Sequence, residues 1–262
     1  MPIKHSYHHL KVLASKRLFF VLFLSCTCLQ GLLAQSDTKD GKLKISIHAD
    51  GGGVLYLPKP SKGIFYVPAR VRHYLGFSVE ANYKRINLGT GIQRFTYPVT
   101  MAAKDTAAMT GIESSFNGEF TAYLRFPFSV GYVFDIKNSH FTIEPYLTGG
   151  MLVSASGYSN LTNYSNGSLI SPTDTILTTF THGMQRKSKS SFYGGVGTKL
   201  QYKYKKMAFS LKVEYFQTLD DWTTLYGVYQ RESTKHGKLM ATQSYTSPDR
   251  NIILGLAVGR YF

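Results

Sequence analysis

Strict alternation of apolar and polar residues over a long segment is the feature that most restricts how this chain can fold. Between Glu119 and Phe134 every second residue, from Phe120 through Phe126 to Phe134, is apolar. Successive side chains of a β-strand point to opposite faces, so the segment predicts a strand with one apolar and one polar face. It exceeds the typical globular strand of about five or six residues and suits the roughly 9 to 11 needed to cross a bilayer at a tilt.

The same period of two recurs along the chain and predicts eight strands in all. They lie near residues 43–50, 75–83, 86–95, 119–134, 141–153, 192–204, 209–219 and 252–262. The connections between them alternate strictly in length, with long segments at 58–71, 97–116, 154–191 and 220–251, and short ones at 84–85, 135–140 and 205–207.

This order of connections distinguishes two all-β architectures. A Greek-key sandwich has no reason to alternate long and short connections, whereas an outer-membrane-type barrel does, with short periplasmic turns and long extracellular loops. The sequence therefore predicts an all-β fold: an eight-stranded antiparallel up-and-down transmembrane β-barrel over residues 43–262.

The N-terminus has the pattern of a secretory signal peptide. Lys11, Lys16 and Arg17 precede an apolar run that ends beside Ala34 and Gln35. We predict a signal peptide at 1–34, cleaved between Ala34 and Gln35, followed by a short periplasmic segment at 35–42. Two alternatives remain open, an uncleaved anchor and lipidation at Cys26.

Cleavage would change what chemistry the chain can carry. It would remove both cysteines, four of the 30 basic residues and none of the 15 acidic ones, leaving no disulfide and no thiolate nucleophile. The basic residues are spread over strands and turns without a recognition module, so we expect no nucleic-acid partner.

The sequence contains no recognisable catalytic constellation. There is no Gly-x-Ser-x-Gly elbow, and the histidines after the predicted leader, His48, His73, His140, His182 and His236, are scattered without metal-ligand spacing, so we expect no enzyme, cofactor or metal site. One enzymatic alternative stays open, a lipid-modifying membrane enzyme that would use Asp220, Asp221 and His236 of the last long loop.

The polar parity of the strands points charged side chains of both signs into the lumen. An eight-stranded barrel is barely wide enough for its own side chains, so these charges should form ion pairs that occlude it. A small porin or transporter is the alternative. The candidates are Lys44, Glu80, Glu119, Arg125, Glu144, Lys199, Lys212 and Glu214.

Several strand segments resemble those of a known family. The segments 123–128, 144–150 and 194–197, and the terminal Gly259-Arg260-Tyr261-Phe262, resemble the outer membrane β-barrel domain family, the small porin-like barrels of Gram-negative bacteria. The resemblance implies residence in the outer membrane and recognition of the terminal Phe262 by the barrel assembly machinery.

The long loops carry the expected function. We expect a monomer with a structural or surface-binding role, in which the loops meet an extracellular ligand of unknown identity. The expected lipid partners are outer-membrane lipids and lipopolysaccharide, whose anionic groups would attract Arg186, Lys187 and Lys189.

Overall fold

The computed structural model describes residues 43–57, 59–96, 99–105, 110–116, 122–154, 161–171, 174–186, 188–246 and 249–262. The predicted leader, with its cleavage site at Ala34 and Gln35, and the lumen candidate Glu119 lie outside these ranges and stay predictions. Within the ranges, no helix is long and apolar enough to cross a membrane.

Seventeen strands make up the described chain. They are β1 (Lys44–Tyr56), β2 (Lys59–Lys62), β3 (Phe65–Val67), β4 (Arg70–Tyr83), β5 (Ile86–Thr96), β6 (Val99–Asp105), β7 (Thr110–Phe116), β8 (Ala122–Tyr132), β9 (Phe134–Asp135), β10 (Phe141–Ser154), β11 (Leu161–Ser171), β12 (Asp174–Arg186), β13 (Ser190–Tyr204), β14 (Met207–Thr218), β15 (Thr223–Ser233), β16 (Gly237–Thr246) and β17 (Arg250–Tyr261).

Eight of these strands close into a barrel. Its order is β1-β4-β5-β8-β10-β13-β14-β17, every pair is antiparallel, and β17 pairs back to β1 with Asp50 opposite Ala257. The predicted fold class is therefore confirmed. The tight turns at Lys84 and Lys205, both in the left-handed region, lie at the same end as the start of β1 and the end of β17. In a barrel of this type the short-turn end is periplasmic.

The side-chain parity predicted from the alternation is confirmed. Arg125 is 0% exposed and its neighbour Phe126 is 39% exposed, so Arg125 points into the lumen and Phe126 points out. Exposed apolar side chains surround the barrel at Ile45, Ile47, Val71, Leu75, Phe77, Val79, Ile86, Ile92, Phe126, Val130, Leu147, Val196, Leu200, Phe209, Leu211, Val213, Leu254, Leu256 and Val258.

A charge placed on this lipid-facing surface tests the parity. We expect Val79→Arg to lower the free energy of unfolding by about 2 to 4 kcal/mol, because Val79 is exposed on the lipid-facing side of β4 and lies four residues from its periplasmic end, about 10 Å into a lipid band about 25 Å tall. Urea titration of protein refolded into lipid vesicles measures this, with Val79→Ile as the control of similar volume. A Val79→Arg variant as stable as wild type would contradict the lipid-facing assignment.

In their described residues the long connections form strands, where the sequence predicts loops. The first two connections form a four-stranded sheet, β2-β3-β6-β7, and the last two form another, β11-β12-β15-β16. These strands were missed because polar residues occupy buried positions: in β12, Thr178 and His182 alternate with the apolar Phe180 and Met184 on the buried face.

The two sheets pack face to face as a sandwich on the extracellular end of the barrel. Phe65 of one sheet lies 6.2 Å from Phe180 of the other, measured between ring centroids. The hydroxyl of Tyr245 donates to the carbonyl oxygen of Phe65 at 2.6 Å. Met101 packs on Gly227, where an added Cβ would lie 2.8 Å from the Met101 sulfur. We call this unit the extracellular sandwich.

Candidate functional site

The first charge cluster lies in the lumen towards the periplasmic end. Lys199 on β13 donates to Glu80 Oε2 on β4 at 2.7 Å and lies 2.9 Å from Glu144 Oε2 on β10. The Asn87 side-chain amide donates to both carboxylates, at 3.0 Å to Glu80 and 2.9 Å to Glu144. One ammonium and one amide thus hold two carboxylates that would otherwise repel one another.

A second charge cluster lies farther from the periplasmic end, around Arg125. Its guanidinium donates to Glu214 on β14 and, at 2.9 Å, to Gln93 Oε1 on β5. The hydroxyl of Tyr146 donates to the other oxygen of Glu214 at 3.0 Å. Both ends of this ion pair are therefore hydrogen-bonded to further side chains, which is the condition for a buried pair to be tolerated.

A third pair joins this cluster through Gln93. Lys212 Nζ lies 2.5 Å from Asp50 Oδ2, and Gln93 Nε2 donates to that same oxygen at 2.7 Å. Gln93 therefore connects Asp50 to Arg125. Asp50 is not among the lumen residues predicted from the sequence. It has the same parity as the buried His48 two residues earlier, and this parity is the signal that identifies it.

Six of the eight predicted lumen residues occupy these clusters: Glu80, Arg125, Glu144, Lys199, Lys212 and Glu214. Lys44 is corrected: it has the lumen parity but is exposed, because it is the first residue of β1, where the barrel opens to solvent. Glu119 lies outside the described residues.

A small cavity lies between the Lys199 cluster and the Arg125 cluster. Its volume is about 60 Å³, and Glu80, Tyr146, Lys199, Lys212 and Glu214 are among the side chains that line it. A polar space of this size holds a few water molecules.

Aromatic rings lie across the lumen on the extracellular side of the charges. Tyr74 stacks on Phe95 at 5.5 Å, Phe95 lies 6.2 Å from Phe216, and the Arg125 guanidinium lies 4.6 Å from the Phe216 ring. Further out, Tyr123 lies 5.5 Å from Trp222. All five rings are fully or almost fully buried. We call them the aromatic layer.

Glycines make room for the large lumen side chains. An added Cβ at Gly197 would lie 2.4 Å from Cζ of Tyr146, and one at Gly259 would lie 2.1 Å from Nδ1 of His48. These two glycines therefore lie at crowded lumen positions, where any larger residue would collide with a lumen side chain.

A buried ion pair links the two sheets of the extracellular sandwich. Arg231 on β15 donates to Asp105 Oδ2 on β6 at 2.6 Å, and both side chains are at most 6% exposed. The hydroxyl of Tyr229 lies within 3.4 Å of the same carboxylate oxygen. Arg231 also donates to the carbonyl oxygen of His236 at 3.1 Å, which ties the pair to the outer turn of the sandwich.

The same sandwich contains a buried histidine. His182 stacks on Phe180 at 5.3 Å, and desolvation lowers its pKa from 6.5 to about 4. It is therefore neutral at pH 7 in the folded sandwich. The unfolded chain binds a proton at His182 more readily than the folded sandwich does. The contribution of His182 to the free energy of unfolding is therefore most favourable above pH 6.5 and falls as the pH drops towards about 4.

We expect the extracellular sandwich to loosen between pH 6.5 and 4 and the His182→Phe variant to lose much of this dependence. Hydrogen exchange of sandwich amides at several pH values measures the effect, with barrel amides as the internal control. Equal acid sensitivity in wild type and His182→Phe would contradict the role of His182.

The residues of the enzymatic alternative lie apart. Asp220 accepts a hydrogen bond from Ser191 at the barrel rim, whereas His236 Nε2 lies 4.0 Å from Asp174 at the far end of the sandwich. The whole of β15 separates them, a distance of about 35 Å for an extended strand of its length. Within the described ranges, no three His, Cys, Asp or Glu side chains gather as a metal site.

No family model and no curated relative matches the chain. Solved structures similar to it include Neisserial surface protein A, at 11% identity and a TM-score of 0.42, covering 83% of this chain and 97% of that one. A major outer membrane protein from Thermus thermophilus matches at 10% identity and a TM-score of 0.41, covering 84% and 100%. Outer Membrane Protein W of E. coli matches at 13% and 0.30, covering 83% and 97%.

These likenesses concern the fold alone, and the assignment rests on the barrel itself. Its eight strands leave no open edge, its exterior is apolar and its interior is polar. Closed barrels of this kind are the form in which β-sheets cross the outer membrane, because every backbone polar group is satisfied between strands. The chain is an eight-stranded outer-membrane β-barrel protein.

Proposed function

We propose that this protein is a surface-recognition protein, in which an occluded barrel anchors the extracellular sandwich in the membrane. The observation that carries the proposal is the sandwich itself: the four long connections form two paired sheets with a common core. An ordered binding surface loses less conformational entropy on contact with a partner than flexible loops do.

The outer face of the second sheet is the surface we assign to recognition. It is rich in uncharged polar side chains, and its cross-strand neighbours include Thr181, Val228 and Thr242 in one row and Tyr226 and Ser244 in the next. One ion pair on this face, between Glu232 and Lys238 at 2.8 Å, lies at the end of the sheet away from the barrel, and its two charges cancel. Such a face suits a polar, uncharged extracellular ligand.

Surface binding is tested on bacterial cells that display the protein. One strain carries the wild type and the other a barrel in which the four long connections are replaced by short turns. We expect wild-type cells alone to bind some members of an array of extracellular-matrix proteins and neutral glycans. Equal binding by both strains, or no binding by either, would overturn the proposal.

The occlusion of the lumen is supported by the charge clusters and the aromatic layer. Three cationic and four acidic side chains pair across the lumen instead of leaving a single-sign path, and the rings of Phe95 and Phe216 lie beyond them. The alternative of a small porin is favoured only by the cavity of about 60 Å³ among the charges.

We expect the purified protein to give no steady single-channel conductance in a planar bilayer, because paired charges and packed rings fill an eight-stranded barrel. The control is a Phe95→Ala, Phe216→Ala variant, which removes two rings of the aromatic layer and should conduct more often than wild type. Reproducible ion-selective steps from the wild type would instead support the porin alternative.

A further inference from the structure

Basic side chains occur on the outer surface of the barrel at its extracellular end. His73 on β4, Arg94 on β5 and Arg250 on β17 are exposed, and His73 and Arg94 have the outward parity of Leu75 and Ile92. These strands lie close together in the barrel order β17-β1-β4-β5. We call the three residues the rim basic residues.

Arg94 lies among apolar neighbours. Leu75 of β4 is opposite it on one side and Leu124 of β8 on the other. A cation costs about 2 to 4 kcal/mol at the bilayer midplane and about 0 to 1 kcal/mol near the interface, so its depth decides whether it is tolerated.

The height of Arg94 fits the outer interface. It follows Ile86, the first residue of β5 at the periplasmic end, by eight residues. A strand rises about 3.3 Å per residue, and a tilt of about 40° therefore places Arg94 about 20 Å across a lipid band about 25 Å tall. Its long side chain reaches the headgroups on the extracellular side, as arginine side chains at membrane interfaces do.

His73 lies close enough to Arg94 to share a ligand. Leu75 is directly opposite Arg94, and His73 is two residues before Leu75 on the same face, so His73 and Arg94 are diagonal neighbours. Such neighbours are about 7 to 8 Å apart, and a phosphate group between them can accept hydrogen bonds from both side chains.

The surface beside His73 is shallow. Gly53 of β1 is opposite His73, and an added Cβ there would meet nothing closer than Val71 Cγ1 at 3.5 Å. On its other side Gly53 is opposite Leu254, which is exposed. The missing side chain leaves an apolar groove beside the rim basic residues, between β4 and β17, in which an acyl chain can lie.

We propose that Arg94 and His73 bind a phosphate group of lipid A in the outer leaflet, with an acyl chain of that lipid in the groove over Gly53. Arg250 adds positive charge on the same side of the barrel. The occupant is lipid A because the site faces lipid at the extracellular end, where lipopolysaccharide forms the outer leaflet of an outer membrane. The site is separate from the extracellular sandwich and goes beyond its proposed role.

Binding is tested on the full chain in a non-ionic detergent, by titration with bisphosphorylated lipid A and native mass spectrometry. We expect Arg94→Met to weaken binding about tenfold, the loss of one charge-assisted contact, and His73→Leu to weaken it several-fold. Both replacements place an apolar residue on the lipid-facing surface of the barrel, so the barrel should fold normally.

The matched control is Arg260→Met, which removes one exposed arginine at the periplasmic end of β17, outside the proposed site. It should bind lipid A as wild type does. An equal loss in Arg260→Met and Arg94→Met would show general charge attraction and overturn the site. Equal affinity for phosphatidylglycerol, or undiminished binding of dephosphorylated lipid A, would overturn lipid A phosphate as the ligand.

Discussion

Replacing Arg125 with leucine should lower the free energy of unfolding by about 3 to 5 kcal/mol. Arg125 is completely buried and donates to Glu214, so its removal leaves an uncompensated carboxylate in the lumen. Breaking one side of a buried ion pair costs this much because the remaining charge has lost water and gained nothing in return. Urea titration of the variant in lipid vesicles measures the change.

A second replacement separates charge from packing. In Arg125→Leu combined with Glu214→Gln the unpaired charge is gone, and we expect most of the lost stability to return. Phe126→Leu, one position away on the lipid face, is the control and should cost much less. If Arg125→Leu unfolds at the same urea concentration as wild type, Arg125 does not pair with Glu214 in the membrane.

The second large effect is expected in the extracellular sandwich. Asp105→Ala leaves Arg231 buried between the sheets without its carboxylate and should destabilise the sandwich by about 3 to 5 kcal/mol. Because the barrel strands are not involved, the barrel should stay folded. Trp222, the one tryptophan of the chain, lies fully buried beside Tyr123 at the junction and gives a fluorescence signal for local opening.

Two further variants make this result specific. Asp105→Leu with Arg231→Met replaces the pair by apolar side chains and should be close to wild type or more stable. Glu232→Ala breaks the exposed pair with Lys238, whose side chains are 59% and 81% exposed, and should change stability by less than about 0.5 kcal/mol. Equal effects of Asp105→Ala and Glu232→Ala would contradict a role for burial.

Cooperation between neighbouring elements limited what the sequence could predict about the extracellular sandwich. β12 buries Thr178 and His182 beside Phe180, so its hydrophobic alternation is incomplete and the sequence predicts a loop there. The sheet β2-β3-β6-β7 covers this face of β12, with Phe65 packed near Phe180. The local sequence of β12 carries no information about the sheet that packs against it.

The sequence by itself determined the barrel and the face on which the residues of its eight strands lie. A strand has a period of two, so the alternation through residues 122–132 sends Arg125 inward and Phe126 outward whatever the partner strands are. The same local rule predicted that Glu80, Lys199 and Glu214 point into the lumen.

Only the tertiary structure decided which charges pair. Lys199 meets Glu80, 119 residues earlier in the chain, and Lys212 meets Asp50, 162 residues earlier. These contacts depend on the register of all eight strands and on the closure of β17 against β1, which no local pattern encodes. The tertiary structure also decides which lumen-facing residues are buried. Lys44 has the lumen parity but is exposed, because the paired strands end there.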